Sequence, residues 1–199
     1  MSNEELLKMY EAIKADPGEL VRAAARKRLI NFARYMQPDL VLEPFHVVYY
    51  TLLDMFAHGK IRKMIVQQPP QHGKSEGSSR KLPAFMLGLD PDRKICIGSY
   101  AATIARDFNR DVQRIIDTPR YRELFPGTYL NGSNVVTMAN TYLRNSDVIE
   151  MVGRKGSLRV VGRGGSLTSK TVDVSILDDV YKDYAEGNSP IVRAAAWKW

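Results

Sequence analysis

Apolar and polar positions along this chain follow two regimes. Up to about residue 60 the period is helical. Leu6, Tyr10 and Ile13 recur on one face, and Ser2 with Glu5 has capping-box spacing, which predicts a helix over residues 2–15. Asp16-Pro17 restarts the pattern, with Asp16 as N-cap and Pro17 at the first helical position. That helix is expected to reach Met36 and stop before Pro38. Its basic side, Arg22, Arg26, Lys27 and Arg34, reads as a solvated face. Pro44 opens a third helix ending near Gly59, whose apolar stripe Phe45, Tyr49, Leu52, Leu53 and Phe56 is expected in the core, with Phe45 and His46 left open as ligand contacts.

Beyond it, short apolar runs bounded by Gly, Pro and Asp replace the helical period. Lys63–Gln68, Lys94–Ser99, Val135–Met138, Val148–Val152, Leu158–Val161 and Val172–Leu177 are strand candidates. Between them lie predicted helices over Lys74–Leu87 and Ala101–Asp117, the second carrying Arg106, Arg110 and Arg114 on one face. Residues 118–134 are turn-rich, and a glycine-rich run spans Gly162–Ser166. Alternating strand and helix predicts an α/β fold, a largely parallel sheet flanked by helices, preceded by an N-terminal helical segment. The boundary falls at residues 42 and 43, giving a helical segment 1–42 and an α/β domain 43–199.

With 199 residues, 44% of them hydrophobic, the chain can bury one core and is short for two. The net charge of +7 and pI of about 9.5 suit a polyanionic partner, nucleic acid or an anionic membrane, without choosing between them. The single cysteine, Cys96, excludes an internal disulfide and a cysteine zinc site; flanked by Ile95 and Ile97, it reads as a buried small hydrophobe. The acidic, amphipathic N-terminus is no signal peptide, and no apolar run approaches a membrane span, so a soluble intracellular protein is expected.

The chemistry-bearing segment is Gln68-Pro69-Pro70-Gln71-His72-Gly73-Lys74-Ser75, set between an apolar run and a helix. That is the context of a P-loop, although Gln68 stands where the motif opens on glycine. Gly73 lets the backbone approach phosphate, and the helix N-terminus favours negative charge. Lys74 would reach the β- and γ-phosphates of ATP, and Ser75 would ligate Mg²⁺. His72 reads as a loop residue with phosphate contact open to it, and Gln67 or Gln68 as a reader of the base. The apolar run Val172–Leu177 ends in Asp178-Asp179. Carboxylates at the C-terminal end of such a strand stand where open α/β sheets bind ligands. Asp178 would hold Mg²⁺ through water, and Asp179 would orient or deprotonate the attacking water.

Taken in order, these pieces resemble the large subunits of tailed-phage DNA-packaging terminases. The resemblance covers residues 40 to 199: Glu43-Pro44-Phe45-His46, the loop above, Ser99-Tyr100-Ala101 with Arg106 and Phe108, Val161 through Thr168, and Ile176 to Asp179. It implies a RecA-like P-loop ATPase that docks on the portal protein of a procapsid, works with a small terminase subunit in a ring of like subunits in the host cytoplasm, and pumps double-stranded DNA inward. Three departures stand out. Gln71 occupies a position often basic in the family. Thr168-Ser169-Lys170-Thr171 replaces a Thr-Gly-Arg-Gly run, which leaves Lys170 or Arg163 as the basic residue completing charge stabilisation. Family members also continue into a coupling motif and a nuclease domain, whereas this chain stops at Trp199, so it looks truncated and nuclease activity is not expected. A terminal helix carrying Trp197 and Trp199 is expected to expose apolar surface. The alternatives are a helicase-like or other P-loop ATPase remodelling nucleic acid, and a non-enzymatic DNA-binding module.

Overall fold

The computed structural model describes residues 16–136, 141–166 and 171–199, together with Glu4, Leu7, Tyr10, Glu11 and Lys14. Those five N-terminal positions are helical and exposed. Ser2, Glu5, Leu6 and Ile13, on which the expected capping box and apolar face rest, lie outside the described residues.

The helix expected between Asp16 and Met36 is two helices, α1 (Gly18–Lys27) and α2 (Leu29–Met36). Asp16 serves the start, its carboxylate accepting the Gly18 N–H at 3.0 Å. The break falls at Arg28, which is extended at φ −133° and ψ 128°. Its cause lies on α3 (Pro44–Ala57), where the buried Asp54 accepts the Leu29 N–H at 2.8 Å and pairs with Arg28 Nε at 3.1 Å. A buried carboxylate has to be satisfied, and the chain leaves helical geometry to satisfy it. The buried face of α3 is Tyr49, Tyr50, Leu53, Asp54 and Ala57. Phe45 and Leu52 of the expected stripe stay 41% and 38% exposed, because α2 and the following helix flank α3 on the Tyr50 side.

The next helix begins at Lys74, widens into a π-helical turn over Glu76–Lys81 and continues as α4 (Leu82–Leu89). Leu82 through Leu87 are all buried, as a helix apolar on every side requires. Phe85 meets Phe32 of α2 and Phe125 beyond α6 (Pro119–Leu124). Thr118 caps α6 by accepting the Tyr121 N–H, with Pro119 in its first turn. Tyr121 is fully buried, and its hydroxyl donates to the Ala84 carbonyl at 2.8 Å. Helices α1 and α2, from the 1–42 segment, thus share one core with α3, α4 and α6.

Four strands form a mixed sheet in the order β2-β3-β1-β4: β1 (Lys94–Ser99), β2 (Val148–Glu150), β3 (Ser157–Gly162) and β4 (Val174–Leu177). Strands β3 and β4 run parallel to β1; the edge strand β2 is antiparallel to β3 through a tight hairpin, so the sheet is less uniform than expected. One face, Ile95 and Ile97 beside Leu158 and Val160, packs against α5 (Ala102–Asp117). The other carries Cys96, Gly98, Arg159, Val161, Ser175 and Leu177, as strand alternation and register dictate. Cys96 is fully buried there, and burial pushes its thiol pKa up. Two helices follow β4, α7 (Tyr184–Asn188) and α8 (Pro190–Lys198). Trp197 is 92% exposed, as expected, but Trp199 docks on this second face. Its Nε1 donates to the Gly165 carbonyl at 2.8 Å, and its ring lies where a Cβ on Gly98 would stand.

Two strand expectations fail. Lys63–Gln68 joins no ladder among the described residues. Met64 and Val66 pack partly on the core while Ile65 is 91% exposed. A strand needs a hydrogen-bonded neighbour, and β4 is separated from this segment by a groove of about 520 Å³ lined by both. Of Val135–Met138, Val135 makes one antiparallel bridge to Arg144, and residues 137 and 138 lie outside the described residues. No described helix is long and apolar enough to cross a membrane.

Candidate functional site

The loop between Gln68 and Ser75 turns through two left-handed residues, Gln71 at φ 63° and Gly73 at φ 77°. Gly73 takes that conformation at no steric cost, whereas Gln71 stores strain in it. Three side chains from the first turns of α3 brace the loop. His46 Nδ1 accepts the Glu43 N–H at 3.0 Å, so its proton sits on Nε2, which donates to the His72 carbonyl at 3.2 Å. Phe45 faces the His72 ring at 5.8 Å. The Tyr49 hydroxyl donates to the Lys74 carbonyl at 2.5 Å, and burial pushes its pKa up to about 12. Gly77 permits this approach, since a Cβ there would meet the Tyr49 ring at 2.6 Å.

Lys74 stands at the start of its helix and reaches the end of β4. Its Nζ lies 3.1 Å from Asp178 Oδ1 and also donates to Asp179 Oδ1. Burial alone would lower the ammonium's pKa; the Asp179 and Asp178 carboxylates outweigh it and hold the value above the ordinary one. The two acids differ in setting. Asp178 is 4% exposed, and its second oxygen accepts the Ser79 hydroxyl at 2.7 Å. Ser79 is itself fully buried, on the π-helical turn. Asp179 keeps 61% of its side-chain surface and is left-handed at φ 48°. Its carbonyl accepts the Tyr100 N–H at 2.9 Å, which ties it to the end of β1.

A cavity of about 440 Å³ opens over the loop, lined by Gln68 to Gln71, Gly73 to Glu76, Arg80 and Asp179. Of the residues singled out in the sequence around the loop, Gln67 and His72 do not line it; the His72 Nδ1 turns back to the Pro70 carbonyl at 2.7 Å. Gln68 Oε1 is buried with no hydrogen-bond partner among the described residues. A buried acceptor left so costs about 1–3 kcal/mol, which a donor entering the cavity would recover. Ser75 lines the same cavity as Asp179. Ser75 and Asp179 supply oxygen donors of the kind hard cations take, while Asp178 lies outside this lining, its oxygens engaged by Lys74 and Ser79.

Arg163 is not brought into this cavity. Its guanidinium donates to the Val180 carbonyl and to Glu186, each at 2.9 Å, and its own N–H donates to the Ser99 carbonyl at 2.8 Å. The hydrogen bond from Arg163 holds the Glu186 carboxyl below the usual range. Lys170 lies outside the described residues. The residues that sequence reasoning missed are Ser79 and Arg80. Arg80 lines the cavity wall, pairs with Asp111 at 2.7 Å and lies 5.0 Å from the centre of the Phe108 ring. Its sequence signal is only its place one turn beyond Glu76, the same helical spacing shown by many surface arginines.

Compared with known proteins, the chain matches no family model, no curated protein and no solved structure.

Proposed function

We propose that this protein is a P-loop ATPase, the motor part of a DNA-packaging terminase large subunit, which hydrolyses ATP to move double-stranded DNA into a procapsid. The observation that carries the reading is Lys74. Its ammonium, at a helix N-terminus behind a left-handed glycine, is drawn between Asp178 and Asp179 from the end of a strand 105 residues away. A loop lysine facing strand-end carboxylates is the arrangement phosphoryl transfer uses to hold a triphosphate and its metal. Successive N–H groups of the 71–75 loop would cradle phosphate, and Gln68 would offer its buried oxygen to the nucleotide.

Ser75 and Asp178 are the residues that would hold Mg²⁺, which would neutralise charge developing on the phosphates. Asp179 is exposed enough to meet a water and orient it for attack. The second basic group for the transition state is supplied in trans, by a neighbouring subunit of a ring, since Arg163 is committed to Glu186. Such a group is worth roughly 10³–10⁵ in rate, so an isolated subunit turns over slowly. Portal protein and small terminase subunit are the partners this reading entails.

Calorimetric titration of ATP with Mg²⁺ tests it. The parent protein is expected to bind, and Lys74→Ala to lose roughly tenfold or more in affinity, equivalent to about 1.4 kcal/mol. A parent that binds no nucleotide, or a folded Lys74→Ala that binds as well, overturns the reading in favour of a non-enzymatic DNA-binding module.

A further inference from the structure

At the opposite end of the sheet from Lys74 lies a second cavity, of about 490 Å³, on the face that α5 leaves uncovered. Its floor is set by register. Lys94 pairs with Ser157, Ser157 with Glu150, and Cys96 with Arg159, so Lys94, Ser157, Glu150 and Arg159 point to the same side. The β2–β3 hairpin adds Arg154 and Lys155 at the rim. Gly156 seats that hairpin on the loop before β1, its N–H donating to the Pro91 carbonyl at 3.1 Å, where any Cβ would collide. The cavity therefore holds four cations against one carboxylate, and the carboxylate is already engaged. Glu150 accepts the Leu143 N–H at 2.9 Å and lies 3.9 Å from Arg159.

Elsewhere several arginines are paired, whereas Lys60, Arg62 and Lys63 are exposed with no ion pair among the described residues. Arg106, Arg110 and Arg114 pair with Asp147, Asp107 and Asp111. Arg22 and Arg26 pair with Asp16 and Glu19. Lys94, Arg154 and Lys155 have no ion-pair partner among the described residues; Lys94 Nζ spends one donor on the Thr171 hydroxyl at 2.7 Å. Three cations without ion-pair partners and Arg159 thus converge on one concave place. Among the described residues Tyr142 alone supplies an aromatic ring there, too little to stack several splayed bases.

We propose that this cavity binds the phosphodiester backbone of duplex DNA, without reading sequence. The proposal rests on the motor reading above for its choice of polyanion. Phosphate contacts fix where a duplex lies, and this one sits at the far end of the strands from the ATP loop.

The test is the anisotropy of a short labelled duplex titrated with the full chain at two salt concentrations between about 50 and 200 mM. The charge reversal Arg154→Glu/Lys155→Glu, in two exposed side chains, is expected to weaken binding at least tenfold and to flatten the log–log salt slope by about 2, near 0.9 per phosphate contact. Arg154→Gln/Lys155→Gln is the second variant should the reversal disturb folding, with the same flattening expected. Arg110→Glu/Arg114→Glu, which removes equal charge from already paired arginines, is expected to lose far less. Equal losses in both pairs would show attraction to net charge alone and overturn the site. So would tighter binding of a single strand, or competition by pyrophosphate in a protein that binds no duplex. Nucleotide binding is judged separately by Lys74→Ala, so failure of the DNA site and failure of the ATPase reading give different results.

Discussion

Replacing Lys74 by alanine has a consequence for the empty protein that is separate from nucleotide binding. A phosphate-loop lysine is expected from sequence to be exposed and dispensable for folding, but here the Lys74 side chain keeps only 25% of its surface and compensates Asp178, whose side chain keeps 3%. Breaking a buried ion pair by removing one partner costs about 3–5 kcal/mol. Two features moderate that: the lysine is a quarter exposed, and Ser79 still donates to Asp178. The expected loss for Lys74→Ala is therefore about 2–3 kcal/mol. Asp178→Asn removes the charge while keeping an acceptor for Ser79, so in that background Lys74→Ala should cost no more than about 1 kcal/mol, leaving a coupling energy of 1–2 kcal/mol, about what neighbouring charges show. The assay is urea unfolding of the four proteins at neutral pH without nucleotide, read by circular dichroism. A Lys74→Ala variant within about 0.5 kcal/mol of the parent, or a double variant whose loss is the simple sum, would refute the reasoning.

Two further predictions follow from the same geometry. Asp178→Asn should weaken Mg²⁺-dependent ATP binding, whereas Asp179→Asn, which tolerates the left-handed backbone at 179, should spare affinity and slow single-turnover hydrolysis; identical defects would sink this division of labour. Stability should fall as pH rises from the ordinary tyrosine value of 10.0 to about 12, since burial raises the Tyr49 pKa and the protonated form is favoured only in the folded state; Tyr49→Phe should flatten that alkaline slope in denaturant titrations.

What sequence could and could not reveal divides by range. The helix restart at Asp16-Pro17 and the strands β1, β3 and β4 are written in neighbouring residues, so spacing exposes them. The break at Arg28 depends on Asp54, 25 residues away, and no local pattern announces it. The apolar run Lys63–Gln68 has the composition of a strand, but ladder membership depends on hydrogen-bonding reach, and a groove separates the run from the outer edge of β4. The glycine-rich run drew attention to Arg163, yet Glu186 takes that side chain through a contact from helix α7. Ser79 was invisible because a π-helical turn changes which side of the helix faces Asp178.

The strand order also fixes a timetable. Strand β1 occupies the interior of the sheet, yet both of its neighbours come much later in the chain, and Lys94 waits for Asp173, 79 residues on. During synthesis the helices from α1 to α6 can gather around Phe32 and Phe85 while β1 still has two bare edges. Closing such long loops is slow, and bare edges recruit other strands. Lys74 and its carboxylate partners therefore meet at the last stage of folding, when β4 arrives and delivers Asp178 to a lysine made long before it. A nascent chain released before residue 178 would own the Gln68–Ser75 loop but no Asp178 to set against Lys74, which makes the arrival of β4 the step that commits this protein to its working shape.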